Sequence, residues 1–324
     1  MKKNLNLILA TALLGCLCFA AAAADAYPSK PIRVVIPFPP GGAVDTLMRT
    51  IGPSLSADLG QPLVIDNRPG GGAQIGASVV TSGPADGYTV FVAEIGAFAI
   101  NPTLYKNISY QPVRDFEGVD MLVRTPMVMF GSPTGRLPSF KALNLAVAAG
   151  TDINYGSFGA GTAPHILGHQ LSRAMPKGKF THVPYKGAPP AQQAMMTNEI
   201  DLLFDGVPGV LNMVRGNRGV PLAVAAPQRS EFLPQVPTTT ELGLPQLQMD
   251  LWIGAAVKNG TPAAIVNRLH AAFEKAIGDR DIWKKLADFG YSKASMTPAE
   301  FDAFIKSEIE RYRPAIVESG ATVE

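Results

Sequence analysis

The 324-residue chain is 47% hydrophobic and 17% charged, a balance that supports one or two cored domains and excludes a disordered or fibrous protein. With 28 Lys and Arg against 26 Asp and Glu, it has no basic field to draw it onto nucleic acid, and no nucleic-acid partner is expected. Glycine (32) and proline (28) are plentiful without a short period, which favours an α/β fold with many strand-to-helix turns over a solenoid or a helical bundle.

The chain opens with Lys2 and Lys3 before an apolar run from Leu5 to Ala24, and Ala24 and Ala26 have the spacing that signal peptidase accepts before Tyr27. Residues 1–26 therefore read as an export signal cleaved near Ala26. A membrane anchor fits less well, because no second apolar stretch reaches the roughly 18 residues needed to cross a bilayer. Both cysteines, Cys16 and Cys18, lie inside this segment, so the mature chain is expected to carry no disulfide, thiolate metal site or cysteine nucleophile. Leu13-Leu14-Gly15-Cys16 also looks like a lipoprotein cleavage box, a lesser alternative because the apolar run continues beyond it.

Strand-like runs follow at Ile32–Phe38, Leu63–Asp66, Thr89–Ala93, Met127–Gly131, Ile153–Tyr155, Ile200–Phe204 and Pro221–Ala225, with segments of helical length between them. This alternation predicts an open, mostly parallel sheet with crossover helices. Near the end, Phe301, Phe304, Ile305, Ile309, Tyr312 and Ile316 share one helical face, opened by Thr297 as N-cap and Pro298 as first helical residue. Pro53 falls inside the first helical segment, where it should kink or break the helix.

In such folds ligands sit where strands hand over to helices. Two handovers are glycine-rich, Pro37-Phe38-Pro39-Pro40-Gly41-Gly42-Ala43-Val44-Asp45 and Tyr155-Gly156-Ser157-Phe158-Gly159-Ala160-Gly161-Thr162-Ala163-Pro164-His165. Either could present bare amides at a helix N-terminus to an anion, or the glycines could simply permit tight turns. Nucleotide motifs fail: the third glycine of a dinucleotide fingerprint is missing after Gly161, and there is no Gly-Lys-Ser/Thr. No cofactor is expected. Ser157 lies one glycine short of a nucleophile elbow, leaving an exported α/β hydrolase as the alternative function. His165 and His169 have the spacing of a zinc helix without its glutamate, and packing or capping explains them better. His182 and His270 have no evident acidic or histidine cluster around them in sequence.

Taken in order, Tyr27-Pro28-Ser29-Lys30-Pro31-Ile32-Arg33, Pro37-Phe38-Pro39-Pro40-Gly41-Gly42 with Asp45, Asn67-Arg68-Pro69-Gly70-Gly71-Gly72, Asn101-Pro102, Tyr155-Gly156-Ser157, Val183-Pro184-Tyr185-Lys186-Gly187, Asp201, Phe204-Asp205 and Val236-Pro237-Thr238 resemble the Bug family, the periplasmic solute-binding components of tripartite tricarboxylate transporters. The resemblance covers the whole mature chain. It implies a two-lobed type 2 periplasmic binding fold of α/β class, a non-enzymatic receptor for a small carboxylate, dicarboxylate or aromatic acid, membrane transporter subunits as partners, and a monomer. It also implies lobe 1 at 27–123 and 255–324 with lobe 2 inserted at 124–254, crossing near Leu122–Pro126 and Trp252–Val257. Carried over by position, the ligand loops fall on Phe38, Pro40, Gly41, Gly42, Ala43 and Asp45 in one lobe, and on Ser157, Gly159, Gly161 and Thr162 in the other. Ala73, Gln74, Glu94, Phe98, Tyr185 and Asp205 should form the remaining walls, although Asp205 could instead cap backbone amides. Arg68 has an exposed structural role in this scheme. Glu94 and Phe98 depart from the small polar residues and histidine usual there. Either Glu94 faces out of the cleft, or it pairs with a donor group on the ligand, which then has one acidic end and a second end that is not a free carboxylate.

Overall fold

The computed structural model describes residues 27–323, so the leader and its two cysteines lie outside the described residues. In chain order the strands are β1 (Ile32–Ile36), β2 (Leu63–Asn67), β3 (Thr89–Glu94), β4 (Phe116–Gly131), β5 (Asp152–Ser157), β6 (Lys179–Pro184), β7 (Leu202–Gly206), β8 (Val220–Val224), β9 (Asp250–Lys258) and β10 (Ser292–Lys293). The helices are α1 (Ala43–Leu59), α2 (Gln74–Thr81), α3 (Asn101–Leu104), α4 (Pro112–Asp115), α5 (Phe140–Ala148), α6 (Ala163–Ala174), α7 (Ala188–Met196), α8 (Val207–Arg215), α9 (Ala263–Gly278), α10 (Arg280–Asp288) and α11 (Pro298–Glu318). A π-helical turn, Gly96–Ile100, leads into α3.

The strands form one curled sheet in the order β2-β1-β3-β9-β4-β7-β5-β6, with β8 and β10 also on β4. The pairs β1–β2, β1–β3, β5–β6 and β5–β7 are parallel, as their crossover helices require. The sheet as a whole is mixed rather than mostly parallel, because β9 runs antiparallel to both β3 and β4, and β4 antiparallel to β7 and β8. β4 spans both halves: Phe116–Pro126 pairs with β9, and Met127 onward pairs with β7 and β8.

Three apolar clusters hold the layers. One packs β1, α1 and α9, with Val34, Leu47, Met48, Ile51, Leu269 and Phe273 all buried. A second joins the π turn, β9 and α11, and a third packs α7 and α8 on the far end of β4. The closing helix starts as expected, its Thr297 hydroxyl accepting the Glu300 N–H while the Glu300 carboxylate takes the Thr297 N–H. Pro53 does not break α1, which runs unbroken from Ala43 to Leu59. Pro53 is on the exposed face, where water can satisfy the freed Arg49 carbonyl, while Ile51 and Leu55 stay locked in the core on either side.

Candidate ligand-binding cleft

The first loop leaves β1 and enters α1 through Gly42, an N-cap with no side-chain cap. Asp45 in the first turn accepts the Gly41 N–H at 2.9 Å and two Arg49 donors at 2.8 and 3.1 Å. Burial works to raise its carboxyl, but the bonds from Arg49, Gly41 and Asn67 outweigh it and hold Asp45 below the usual carboxylate range. Its charge is thus spent on fixing the loop. The amides of Gly42, Ala43 and Val44, in contrast, have no protein acceptor among the described residues. Pro40, Gly41 and Gly42 are exposed, and half-buried Phe38 wedges the loop against two core clusters.

The second loop leaves β5 and enters α6 through Thr162, again an N-cap without a side-chain cap. It is braced from within. Ser157 Oγ donates to the Gly159 carbonyl at 2.9 Å, and Thr162 Oγ1 donates to the same carbonyl at 2.8 Å. Gly161 N–H donates to His165 Nδ1 at 3.0 Å, which leaves the amides of Ala160 and Ala163 without a protein acceptor among the described residues. Gly161 has φ +77°, and a Cβ there would sit 1.6 Å from Leu104 Cδ2. Only glycine fits. Gly161 therefore serves the approach of α3 and the bond to His165, rather than offering its own amide to a ligand.

Ser157 Oγ also lies 2.6 Å from His182 Nε2, a contact that sequence reasoning missed because β6 does not stand out as a strand. Its alternation, Phe180 and His182 inward between exposed Lys179 and Thr181, was the available signal. The pair looks like a nucleophile and its base, but the network assigns the protons otherwise. With the serine hydrogen assigned to Gly159 O, His182 Nε2–H is the donor to Oγ. Among the described residues no carboxylate bonds to His182 to orient it as a base, and no group of three His, Cys, Asp or Glu could hold a metal ion.

The other predicted walls are placed unevenly. Gly70, Gly71, Gly72 and Ala73 all have positive φ, 121°, 57°, 59° and 76°. Tyr105 packs so closely on Gly72 that a Cβ would fall 1.9 Å from its hydroxyl, while Asn101 Nδ2 donates to the Gly72 carbonyl. α3 thus joins this turn, through Asn101 and Tyr105, to the second loop, through Leu104. Gln74 spends its Oε1 on the Ser109 N–H at 2.8 Å. Tyr185 spends its hydroxyl on Glu199 at 2.9 Å and its N–H on the Ser157 carbonyl at 3.0 Å, so it supports the second loop from behind. Phe98 is a core residue, fully buried among Phe91, Phe116, Trp252 and Phe301 with centroids 5.6 to 6.4 Å away. The π turn Gly96–Ile100 carries Phe98 into this cluster. Arg68 pairs with Asp66 at 2.9 Å in an exposed position.

Glu94 and Asp205, at the ends of β3 and β7, do come together. Burial, and then the charge of Asp205, pushes the Glu94 carboxyl up to about 7. Burial likewise raises Asp205, against bonds from Gln192 Nε2 at 2.7 Å and Gly206 N–H at 2.7 Å. Tyr291 lies beside both, its hydroxyl donating to the Ala43 carbonyl at 3.3 Å. This ties the first loop to the acid pair. Asp205 makes the capping contact that was its alternative role.

A family profile described as the tripartite tricarboxylate transporter family receptor matches residues 47–321. The protein BugT of Bordetella pertussis is 30% identical over 307 residues, 94% of each chain. Among solved structures, MatC of Rhodopseudomonas palustris with bound malate is 29% identical with a TM-score of 0.81, covering 90% of this chain and all of its own. Rpa4515 of R. palustris with adipate is 28% identical with a TM-score of 0.86, covering 92% of this chain and all of its own.

Proposed function

Because the chain belongs to the family of tripartite tricarboxylate transporter receptors, we propose that it is an exported, periplasmic receptor that captures a small organic acid between two lobes and delivers it to the membrane subunits of such a transporter. The observation that carries this reading is the pair of uncapped helix N-termini, at Gly42 and Thr162, with free amides at Gly42, Ala43, Val44, Ala160 and Ala163. Such ends hold about half a positive charge and unsatisfied donors, the recognition chemistry of a carboxylate. Malate and adipate, held by two relatives, are acids of this kind. Family membership also removes the hydrolase alternative, since these relatives are solute receptors and not enzymes.

The lobe limits 27–123 with 255–324, and 124–254, are part of the proposal. They draw support from the change of partners along β4 at Pro126 and Met127. Export is supported by the leader pattern, and among the described residues no helix is long and apolar enough to cross a membrane. The acid pair at Glu94 and Asp205 favours a ligand whose second end donates a hydrogen bond or carries a cation, such as an amino, amide or hydroxyl group. A thermal-shift screen of the chain from Tyr27 against organic acids tests the reading, since a ligand at 100 times its dissociation constant adds about 2.7 kcal/mol. A flat response across mono-, di- and amino acids would overturn it.

A further inference from the structure

His165 and His182 stack face to face, centroids 3.9 Å apart and planes 15° from parallel, with Tyr155 stacked 5.2 Å from the outer face of His182. Each ring holds a different part of the second glycine-rich loop. His165 Nδ1 accepts the Gly161 N–H and His182 Nε2 meets Ser157 Oγ. An accepting Nδ1 must be unprotonated, so His165 is the neutral Nε2–H tautomer. We propose that this stacked histidine pair is a positioning latch, which sets the conformation of the loop Ser157–Thr162 while the His165 ring is neutral and releases it in acid.

The chemistry is one-directional. A proton on His165 Nδ1 turns the acceptor into a donor facing the Gly161 N–H, and two imidazolium rings at stacking distance repel. Burial, then the charges of His182 and His169, lowers His165 to about 4, and burial lowers His182. The groups facing the pair are Tyr155 on β5 and His169 one turn along α6, while Arg173 and Glu318 of α11 act on His169. Because both ring values lie below the ordinary 6.5, the pair's contribution to stability is complete above that value, and the loss grows as pH falls toward 4. The link from loop to ligand rests on the receptor reading above; the latch itself does not.

The test therefore uses the ligand-free chain from Tyr27. Imidazole nitrogen NMR at neutral pH should give an unprotonated Nδ1 for His165. The Gly161 amide, corrected for its intrinsic exchange rate, should lose protection about tenfold as the rings protonate, the loss of one hydrogen bond. H165N keeps an acceptor near Nδ1 but cannot titrate, so it should retain protection at neutral pH and flatten the acid response. H165F should lose protection at every pH, with far-ultraviolet dichroism reporting that the fold persists. If the rings protonate while Gly161 stays protected, or if H165F is as protected as the parent, the latch is wrong. If Gly161 follows the latch but no acid stabilises the chain, the receptor reading fails and the latch stands.

Discussion

Glu94 and Asp205 turn a question about ligand identity into one about protons. A Glu94 carboxylate about 6 Å from a ligand carboxylate would repel it by roughly 3 kcal/mol at an effective dielectric near 20. A second acidic end would thus favour the protonated pair, whereas an amino, amide or hydroxyl end favours the ionised one. With Glu94 near 7, a donor-ended ligand should release protons on binding at neutral pH and a dicarboxylate should take them up. Calorimetry in two buffers of different ionisation enthalpy separates these outcomes. E94Q should reduce the exchange to what Asp205 alone supplies and raise tolerance for dicarboxylates, and proton uptake with the best ligand would overturn the donor-end assignment. A second buried acid affects stability alone. Asp120 is fully buried, its Oδ2 has no hydrogen-bond partner among the described residues, His270 Nδ1 stands 3.6 Å away, and burial with the charge of Glu274 raises it to about 8. A raised carboxyl contributes stability that is complete below its ordinary value of 3.8 and lost as pH rises through about 8. D120N should flatten that slope in urea unfolding between about pH 4 and 8, and a parent protein with no such slope would contradict the assignment.

At the scale of elements, the two glycine-rich loops look alike in sequence but respond differently to a side chain. Gly42 has ordinary backbone angles, φ −77° and ψ 177°, and a Cβ there meets only the Pro39 carbonyl at 3.6 Å. G42V should fold like the parent and lose ligand affinity, because the branched side chain covers the free amides. G161V should instead lower the melting temperature through left-handed strain and collision with Leu104, on the order of 1–3 kcal/mol for the backbone alone. L104A should recover part of that loss. Equal melting temperatures for the two valine variants would refute this distinction. The loops, β1 and α11 were legible because β-branched runs, glycines and caps act locally. β9 was not: Leu251 to Val257 is buried throughout, an unbroken apolar run without period two. The first half of β4 was hidden too, since Gly118 and Asp120 interrupt it at register shifts that only the partner strand reveals. Phe98 was misassigned because a π turn has no reliable sequence mark.

At the scale of the molecule, a ligand held by loops from both lobes calls for closure about the crossings. Small-angle scattering should give a smaller radius of gyration at ligand saturation than in the empty protein, and an unchanged profile would count against hinge motion. The two-lobed plan and the crossings near Leu122–Pro126 and Trp252–Val257 were legible from the ordered motifs of the whole chain, while the strand character of those crossings was not. Those strands have a mechanical consequence. Pro126 on β4 is in register with Asp250 on β9, and the Met127 N–H bonds the Met249 carbonyl at 3.0 Å, so the crossings are stitched edge to edge into one ribbon. A ribbon flexes out of its plane readily but resists sliding within it, because sliding would break the ladder bonds between its edges. If the proposed lobes close about these crossings, their relative movement should follow a single soft coordinate, which one pair of dyes set across the cleft would track.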